Sequence, residues 1–483
     1  MAILIKKAQK IAGIDCPNGV LVLGLEKDVE AQVQQGGGAD PVSLGSLPVV
    51  SPSALAHQPD SLVAGVAKVA MGQWALGRPA RVQWGGNSLV DTFGGYAEAL
   101  GYWSATSHII NTLMMCGGAI DMRNRLSVGN DANTWDRWGN VGHGGATMPT
   151  ITSDLLNGGL LAQMATDGVP PPDIYVAAAL PENDIGTEGV DAATAIKRFN
   201  LHLQTVAAVW PGVRFLLLTP WASAYYDTGA KRATADALRT HVKSLELASA
   251  NVASVDVSRL YAGDDWQPYA GLTDGIHPVN TDITVSQRVG RAVAKRLLGL
   301  LGGRASWGKA LRSPNPGMTG TVAAGALGTA PTGCSFTSAA PAGGTIASVA
   351  EQPGWTITFG NVDGVIGKDF GDFSLANIVP SDLTKIDPVV AMTIESGAEN
   401  FLAIQIRCRM FYDDASNDFK LIVMPQGTFQ KSEWLNGDPI DCVLPRIVPT
   451  AGKTLTSIAI YCKAYMKGQV GSTTIRVKTL GAL

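Results

Sequence analysis

The chain has 483 residues and a mass of 50.4 kDa, room for about three folding units of roughly 150 residues, so a single small module is excluded. Hydrophobic residues make up 46% and charged residues 16%, at a mean hydropathy of +0.13, which supplies large cores and excludes a disordered polyelectrolyte. With 37 Lys+Arg against 40 Asp+Glu the net charge is -3, which excludes the basic footprint that neutralises nucleic-acid phosphates.

Residues 1–79 are short of aromatics and hold turn clusters, QGGGADP at 35–41 and SPS at 51–53; they read as a leader and linker without a catalytic constellation. The opening MAILIKKAQKIAG places Lys6 and Lys7 too early for a signal-peptide apolar region, and no stretch nears ~18 consecutive apolar residues, so no membrane span or membrane partner is expected. Residues 80–304 alternate strand-like runs (RVQW, DIYVAAAL, VRFLLLTP, VASVDVS) with helix-like stretches, which predicts an α/β domain with a parallel sheet covered by helices on both faces. Its closing helix is marked by Val285, Val289, Ala292, Val293, Leu297 and Leu300 at spacings of three and four, with Gly302 and Gly303 as the stop.

A linker is expected at 305–319, and over 320–483 the period changes to two. Leu402, Ile404, Ile406, Cys408 and Met410 share one face opposite Gln405, Arg407 and Arg409; Ile458, Ile460, Cys462, Ala464 and Met466 do the same opposite Lys463 and Lys467. With WTITFG, FKLIVM and TTIRVK as further strands, this predicts an antiparallel β-sandwich of jelly-roll type. The six cysteines (16, 116, 334, 408, 442 and 462) contain no C-x-x-C pair, so buried reduced thiols are expected in preference to a zinc knuckle or a disulfide framework.

The histidines are His57, His108, His143, His202, His241 and His277, so imidazole chemistry must lie upstream of the last 206 residues. In RVQWGGNSLVD an apolar run ends in Gly85-Gly86-Asn87-Ser88 before a helix-like stretch, which puts the Ser88 hydroxyl at the carboxyl end of the sheet and near a helix N-terminus. The same residues also read as a glycine turn with serine as N-cap. NVGHGGAT at 140–147 has glycines that let a backbone N–H, that of Gly145, point at a substrate, or it is a plain turn. PENDI at 181–185 follows an apolar strand and offers the Asn183 side-chain amide as a second donor, or forms an Asx-turn. In TDGIHP, Asp274 and His277 stand three apart, so that the carboxylate can fix the imidazole tautomer and leave Nε2 to take a proton; alternatively both only cap a helix.

Taken together and in this order, GGNSLVD, NVGHGGAT, PDIYVAAALPENDI and TDGIHP resemble the four sequence blocks of the SGNH (GDSL-type) hydrolase family, over about 220 of the 483 residues. The resemblance implies a flavodoxin-like three-layer α/β domain. It also implies Ser88 as nucleophile, Asp274 and His277 as the rest of a triad, and the Ser88 N–H, Gly145 N–H and Asn183 amide as oxyanion hole, with no metal or other cofactor required. Two positions depart from the family pattern: Asn87 stands where it has Asp, and Pro181 where it has Gly. Neither carries the reacting groups, although Pro181 has no N–H to donate.

Trp135, Trp138, Trp221, Tyr225 and Tyr226 offer rings that can stack on sugars or simply pack loops. His143 can touch a substrate, but it has no evident carboxylate partner in sequence and is not the expected base. A sandwich appended to an esterase is commonly a carbohydrate-binding or assembly module, so the expected substrate is an O-acetylated polysaccharide. The layout of leader, esterase and β-rich tail resembles bacteriophage tail-fibre and tailspike proteins. That resemblance implies a virion location, attachment through the N-terminal segment and a homotrimer, the alternatives being a bacterial cytoplasmic esterase and a non-catalytic adhesion protein.

Overall fold

The computed structural model describes residues 4–11, 14–24, 73–90, 112, 114–116, 119–121, 140–166, 168–221, 223–261, 266, 275–277, 282–303, 315, 317–336, 344–351, 353–360, 368–378, 387–423, 431–443, 449–467 and 471–482. Near the N-terminus β1 (Leu4–Ile11) pairs antiparallel with β2 (Ile14–Gly24), a hairpin within the stretch read as a leader. Among the described residues no helix is long and apolar enough to cross a membrane.

Short apolar runs become the central strands because a sheet covered on both faces needs no polar side. β3 (Val82–Gly86) and β5 (Ile174–Ala177) are buried throughout, and β6 (Arg214–Leu218) is buried after its first residue. With β4 (Asn140–Gly142) and β7 (Val252–Val255) they make a five-stranded sheet, parallel at every pairing, in the order β4-β3-β5-β6-β7. Renumbered within the sheet this is 2-1-3-4-5, the flavodoxin-like order. The helices between and after these strands are α1 (Met148–Asn157), α2 (Leu160–Thr166), α3 (Glu182–Gly186), α4 (Ala192–Val209), α5 (Gly229–Ala248), α6 (Ser258–Tyr261) and α7 (Thr284–Leu301). From β4 to β7 the chain advances in one direction, so right-handed crossovers put α1, α4 and α5 side by side on one face, where they touch. α7 lies against β7 from the other side of the chain's path and buries Val285, Val289, Val293, Leu297 and Leu300, while Ala292 is only half-buried. Gly302, at φ 79°, ends it in the left-handed conformation that glycine adopts without a Cβ clash.

Beyond a small antiparallel pair, β8 (Val322–Ala323) with β9 (Thr329–Ala330), the C-terminal part forms two five-stranded sheets. One has the order β10-β13-β18-β15-β16: Cys334–Phe336, Lys368–Ile378, Leu455–Met466, Phe401–Tyr412 and Asn417–Val423. The other has β11-β12-β19-β14-β17: Thr345–Glu351, Gly354–Gly360, Ser472–Ala482, Pro388–Ser396 and Pro439–Val443. Every pairing is antiparallel. Burial alternates along β15 from Ile406 and along β18 from Ile460, whereas residues 401–406 are buried throughout, Gln405 included; Ile406 stands opposite Cys462, Cys408 opposite Ile460 and Met410 opposite Ile458, all buried. Cys408 and Cys462 are buried and not joined in a disulfide, and burial pushes the Cys408 thiol upward.

The two parts are tied just downstream of His277. Ile283 N–H donates to Lys431 O at 3.1 Å, Arg288 forks onto Glu433 at 2.6 and 3.1 Å, and Arg291 reaches Asp438 at 2.7 and 3.2 Å. The first turns of α7 are therefore braced by the sandwich.

Candidate functional site

Ser88 owes its position to the two glycines before it. A Cβ on Gly86 would lie 1.9 Å from Ala178 O, a backbone atom just after β5, and one on Gly85 would lie 1.7 Å from the Tyr175 hydroxyl, so glycine makes room here for the end of β5 and the Tyr175 side chain. The chain then turns. Asn87 N–H donates to Ala179 O at 3.1 Å, Leu89 N–H donates back to Asn87 Oδ1 at 3.0 Å, and Val90 N–H donates to Asn87 O at 2.9 Å. This Asx-type turn holds Ser88 at the carboxyl end of β3, where the strand order reverses and open α/β sheets place their ligands. Ser88 is 8% exposed. The helix-like stretch expected to follow lies outside the described residues.

His277 comes from a distant loop. Gly275, at φ +74°, has room for no Cβ, which would meet Ala224 Cβ at 2.7 Å, and its carbonyl accepts from Ala224 N–H at 2.8 Å. The glycine of TDGIHP is thus a backbone requirement, and with Ile276 buried it fixes the direction of the next side chain. His277 Nε2 lies 2.8 Å from Ser88 Oγ, across 189 residues of sequence. Asp274 lies outside the described residues.

The second and third segments are locked to this pair and to each other. His143 N–H donates to Gly86 O at 3.0 Å and Ala146 N–H to His143 O at 3.2 Å, a turn in which Gly145 has φ +72°. The Asn183 side-chain amide donates to Ala146 O at 2.8 Å, which spends one of its two hydrogens and leaves the other. The next residue, Asp184, accepts from Met148 N–H at 2.8 Å at the start of α1, where a carboxylate suits the helix dipole. Burial raises its pKa while Arg198, which donates to Oδ1 at 2.6 Å, works against the rise. Glu182, just before Asn183, is fully buried; burial pushes its carboxyl up to about 8, against hydrogen bonds from Trp221 N–H, its own N–H and the Asn87 amide, with the charge of Asp184 adding to the rise.

Two expectations are corrected. His143 does have a carboxylate partner: its Nδ1 meets Asp154 Oδ2, because α1 turns back under the glycine loop and brings together residues eleven apart in sequence. A carboxylate only accepts, so Nδ1 carries a proton, and in the neutral imidazole Nε2 is then the acceptor. Trp221 cannot stack on a sugar, since it is 0% exposed and its ring is packed in the core. Tyr226 is likewise buried, edge-on to Trp266, and Tyr225 is half-buried over Gly186. Trp135 and Trp138 lie outside the described residues. Sequence reasoning missed Glu182 and Asp154; the one available signal was that Glu182 adjoins Asn183.

A hydroxyl within hydrogen-bond reach of an imidazole, at a sheet switch point, is an arrangement for nucleophilic attack with proton transfer. No protein-family model and no curated protein matches the chain. Among solved structures, a family 3 carbohydrate esterase from Clostridium thermocellum is 18% identical, over 46% of this chain and 98% of that one, with a TM-score of 0.32. A member of the lipolytic protein G-D-S-L family from Veillonella parvula is 14% identical, over 45% and 95%, with a TM-score of 0.28. A structure of carbohydrate-binding modules from the β-sandwich superfamily is 15% identical, over 31% of this chain and 57% of that one, with a TM-score of 0.21.

Proposed function

We propose that this chain is a serine esterase that removes O-acetyl groups from a polysaccharide. The observation that carries the reading is the contact of 2.8 Å between Ser88 Oγ and His277 Nε2. His277 takes the hydroxyl proton as Oγ attacks the ester carbonyl, and the Ser88 and Gly145 N–H groups and the second Asn183 amide hydrogen hold the oxyanion. The protonated imidazole hands its proton to the departing sugar hydroxyl, and water activated by the same imidazole releases acetate from the acyl-enzyme. Asp274 orients the imidazole. His143, its tautomer set by Asp154, presents Nε2 as an acceptor for a sugar hydroxyl.

A small acyl group fits a serine that is only 8% exposed. The polysaccharide fits a sandwich joined to the start of α7, which can hold a chain while the serine works on its substituents. A bacterial surface glycan as substrate, and a phage tail as the place where a trimer of this chain is attached through its N-terminal segment, complete the proposal. Hydrolysis of a chromogenic acetate ester and acetate release from a panel of bacterial surface polysaccharides test it. Ser88→Ala is expected to lower kcat by about 10³-fold or more. Equal rates for wild type and variant would overturn the esterase reading and leave adhesion as the role of the fold.

A further inference from the structure

Glu182 performs no step in the reaction above, yet it is a fully buried acid next to Asn183 and hydrogen-bonded to Asn87. Its Oε2 accepts from the Asn87 side-chain amide at 3.1 Å and its Oε1 from Trp221 N–H at 2.8 Å. Asn87 is used at both ends, since its Oδ1 accepts from Leu89 N–H at 3.0 Å. One carboxyl therefore joins three loops: the turn that carries Ser88, the start of α3 that carries Asn183, and the loop after β6. The last of these reaches on, through Ala224 N–H and Gly275 O at 2.8 Å, to the loop that carries His277. An acid is costly to bury, and this one sits where its loss would remove bonds that join the Ser88 turn to α3 and to the loop after β6.

The chemistry of the pair also accounts for the amide at position 87. A carboxylate there would take away the amide hydrogens that Glu182 Oε2 accepts, and the two carboxyl groups could meet only through a shared proton. We propose that Glu182 is a positioning residue that locks the Ser88, Asn183 and His277 loops together, and that Asn87 and Glu182 act as a unit in which one member supplies carboxyl oxygens and the other amide hydrogens. The inference rests on the esterase reading for its catalytic consequence, but not for the lock itself.

The unit can be reversed. In the double variant Asn87→Asp with Glu182→Gln, the new amide at 182 donates to the new carboxylate at 87, its oxygen still accepts from Trp221 N–H, and the carboxylate still accepts from Leu89 N–H. Asn87→Asp alone instead leaves two carboxyl groups that can meet only through a shared proton, and Glu182→Gln alone sets its amide hydrogens against the Asn87 amide or the Trp221 N–H. The test is a double-mutant cycle in Asn87→Asp and Glu182→Gln, read both as kcat and KM on an acetate ester and as urea unfolding free energy. Each single change is expected to lower kcat about 10-fold to 100-fold with KM changed less than threefold, and the double variant to return within about fivefold of wild type. Losses in kcat that multiply, or a coupling seen in unfolding but not in kcat, would overturn the positioning role. Coupling in unfolding with an inactive wild type would sustain the lock and overturn the esterase reading. Should the single variants fail to fold, the double variant still decides: soluble and active supports the unit, insoluble overturns it.

Discussion

Asn183→Ala separates the two jobs that the structure allows one amide to do. In the ground state the side chain donates to Ala146 O at 2.8 Å, with Asn183 itself 5% exposed. Losing that neutral hydrogen bond costs about 1 kcal/mol of stability, or about 3 kcal/mol if the carbonyl is left unsatisfied. In the proposed transition state the remaining N–H meets an oxyanion, a bond to charge worth about 2.7 to 4 kcal/mol, or roughly 10²- to 10³-fold in kcat. The two effects fall on different observables. The ground-state bond lowers the unfolding midpoint by several degrees, whereas the transition-state bond lowers kcat and kcat/KM together and leaves KM nearly unchanged. Steady-state kinetics on an acetate ester, beside a thermal melt, reads both. A variant whose melt falls while kcat stays within about threefold of wild type would show that Asn183 only ties its loop to the glycine segment, and the oxyanion assignment would be refuted.

Gly86→Ala should destabilise by about 1 to 3 kcal/mol or more and lower kcat at least tenfold, because its Cβ would lie 1.9 Å from Ala178 O, a backbone atom, two residues before Ser88. Gly299→Ala is the control: in α7 a Cβ meets nothing within 4 Å, and the change should stabilise by about 0.5 to 1 kcal/mol in the same melts. Burial would raise the pKa of Asp256, but hydrogen bonds and charge from Arg239 and Lys243 on α5 outweigh it and hold the carboxyl at about 2. A carboxyl depressed in the folded state stabilises above its unfolded value of about 3.9, and that stability is lost as pH falls toward 2. Asp256→Asn should therefore cost ~2 kcal/mol at neutral pH and flatten the acid limb of stability between about pH 4 and 2; urea unfolding across that range would refute the assignment if variant and wild type kept the same slope.

The patterned elements were readable in one dimension because burial imposes a period. Apolar runs without a polar face mark β3, β5 and β6, and alternation marks β15 and β18, whose inward residues are those that the sequence places on one face. Other strands carry no such signal. KDFGDFSLANI, which forms β13, mixes charge, glycine and aromatics, and its pairing with β18 shifts register twice. The glycines of the site were legible as residues but not as reasons: Gly86 and Gly275 are needed because of Ala178 and Ala224, which belong to other loops.

What the sequence determined by itself was composition-level class, the parallel and antiparallel patterning, and a short set of residues with the chemistry of acyl transfer. Pairing was decided by tertiary structure alone. Ser88 meets His277 because β3 and the loop before α7 end at the same edge; His143 finds Asp154 because α1 folds back; Trp221 lies in the core because the loop after β6 turns inward; and Glu182 reaches Asn87 across the sheet's switch point. The physical reason is that periodicity is a property of one element and its exposure to water. A hydrogen bond between loops depends on where several elements end in space, and local sequence does not encode that distance.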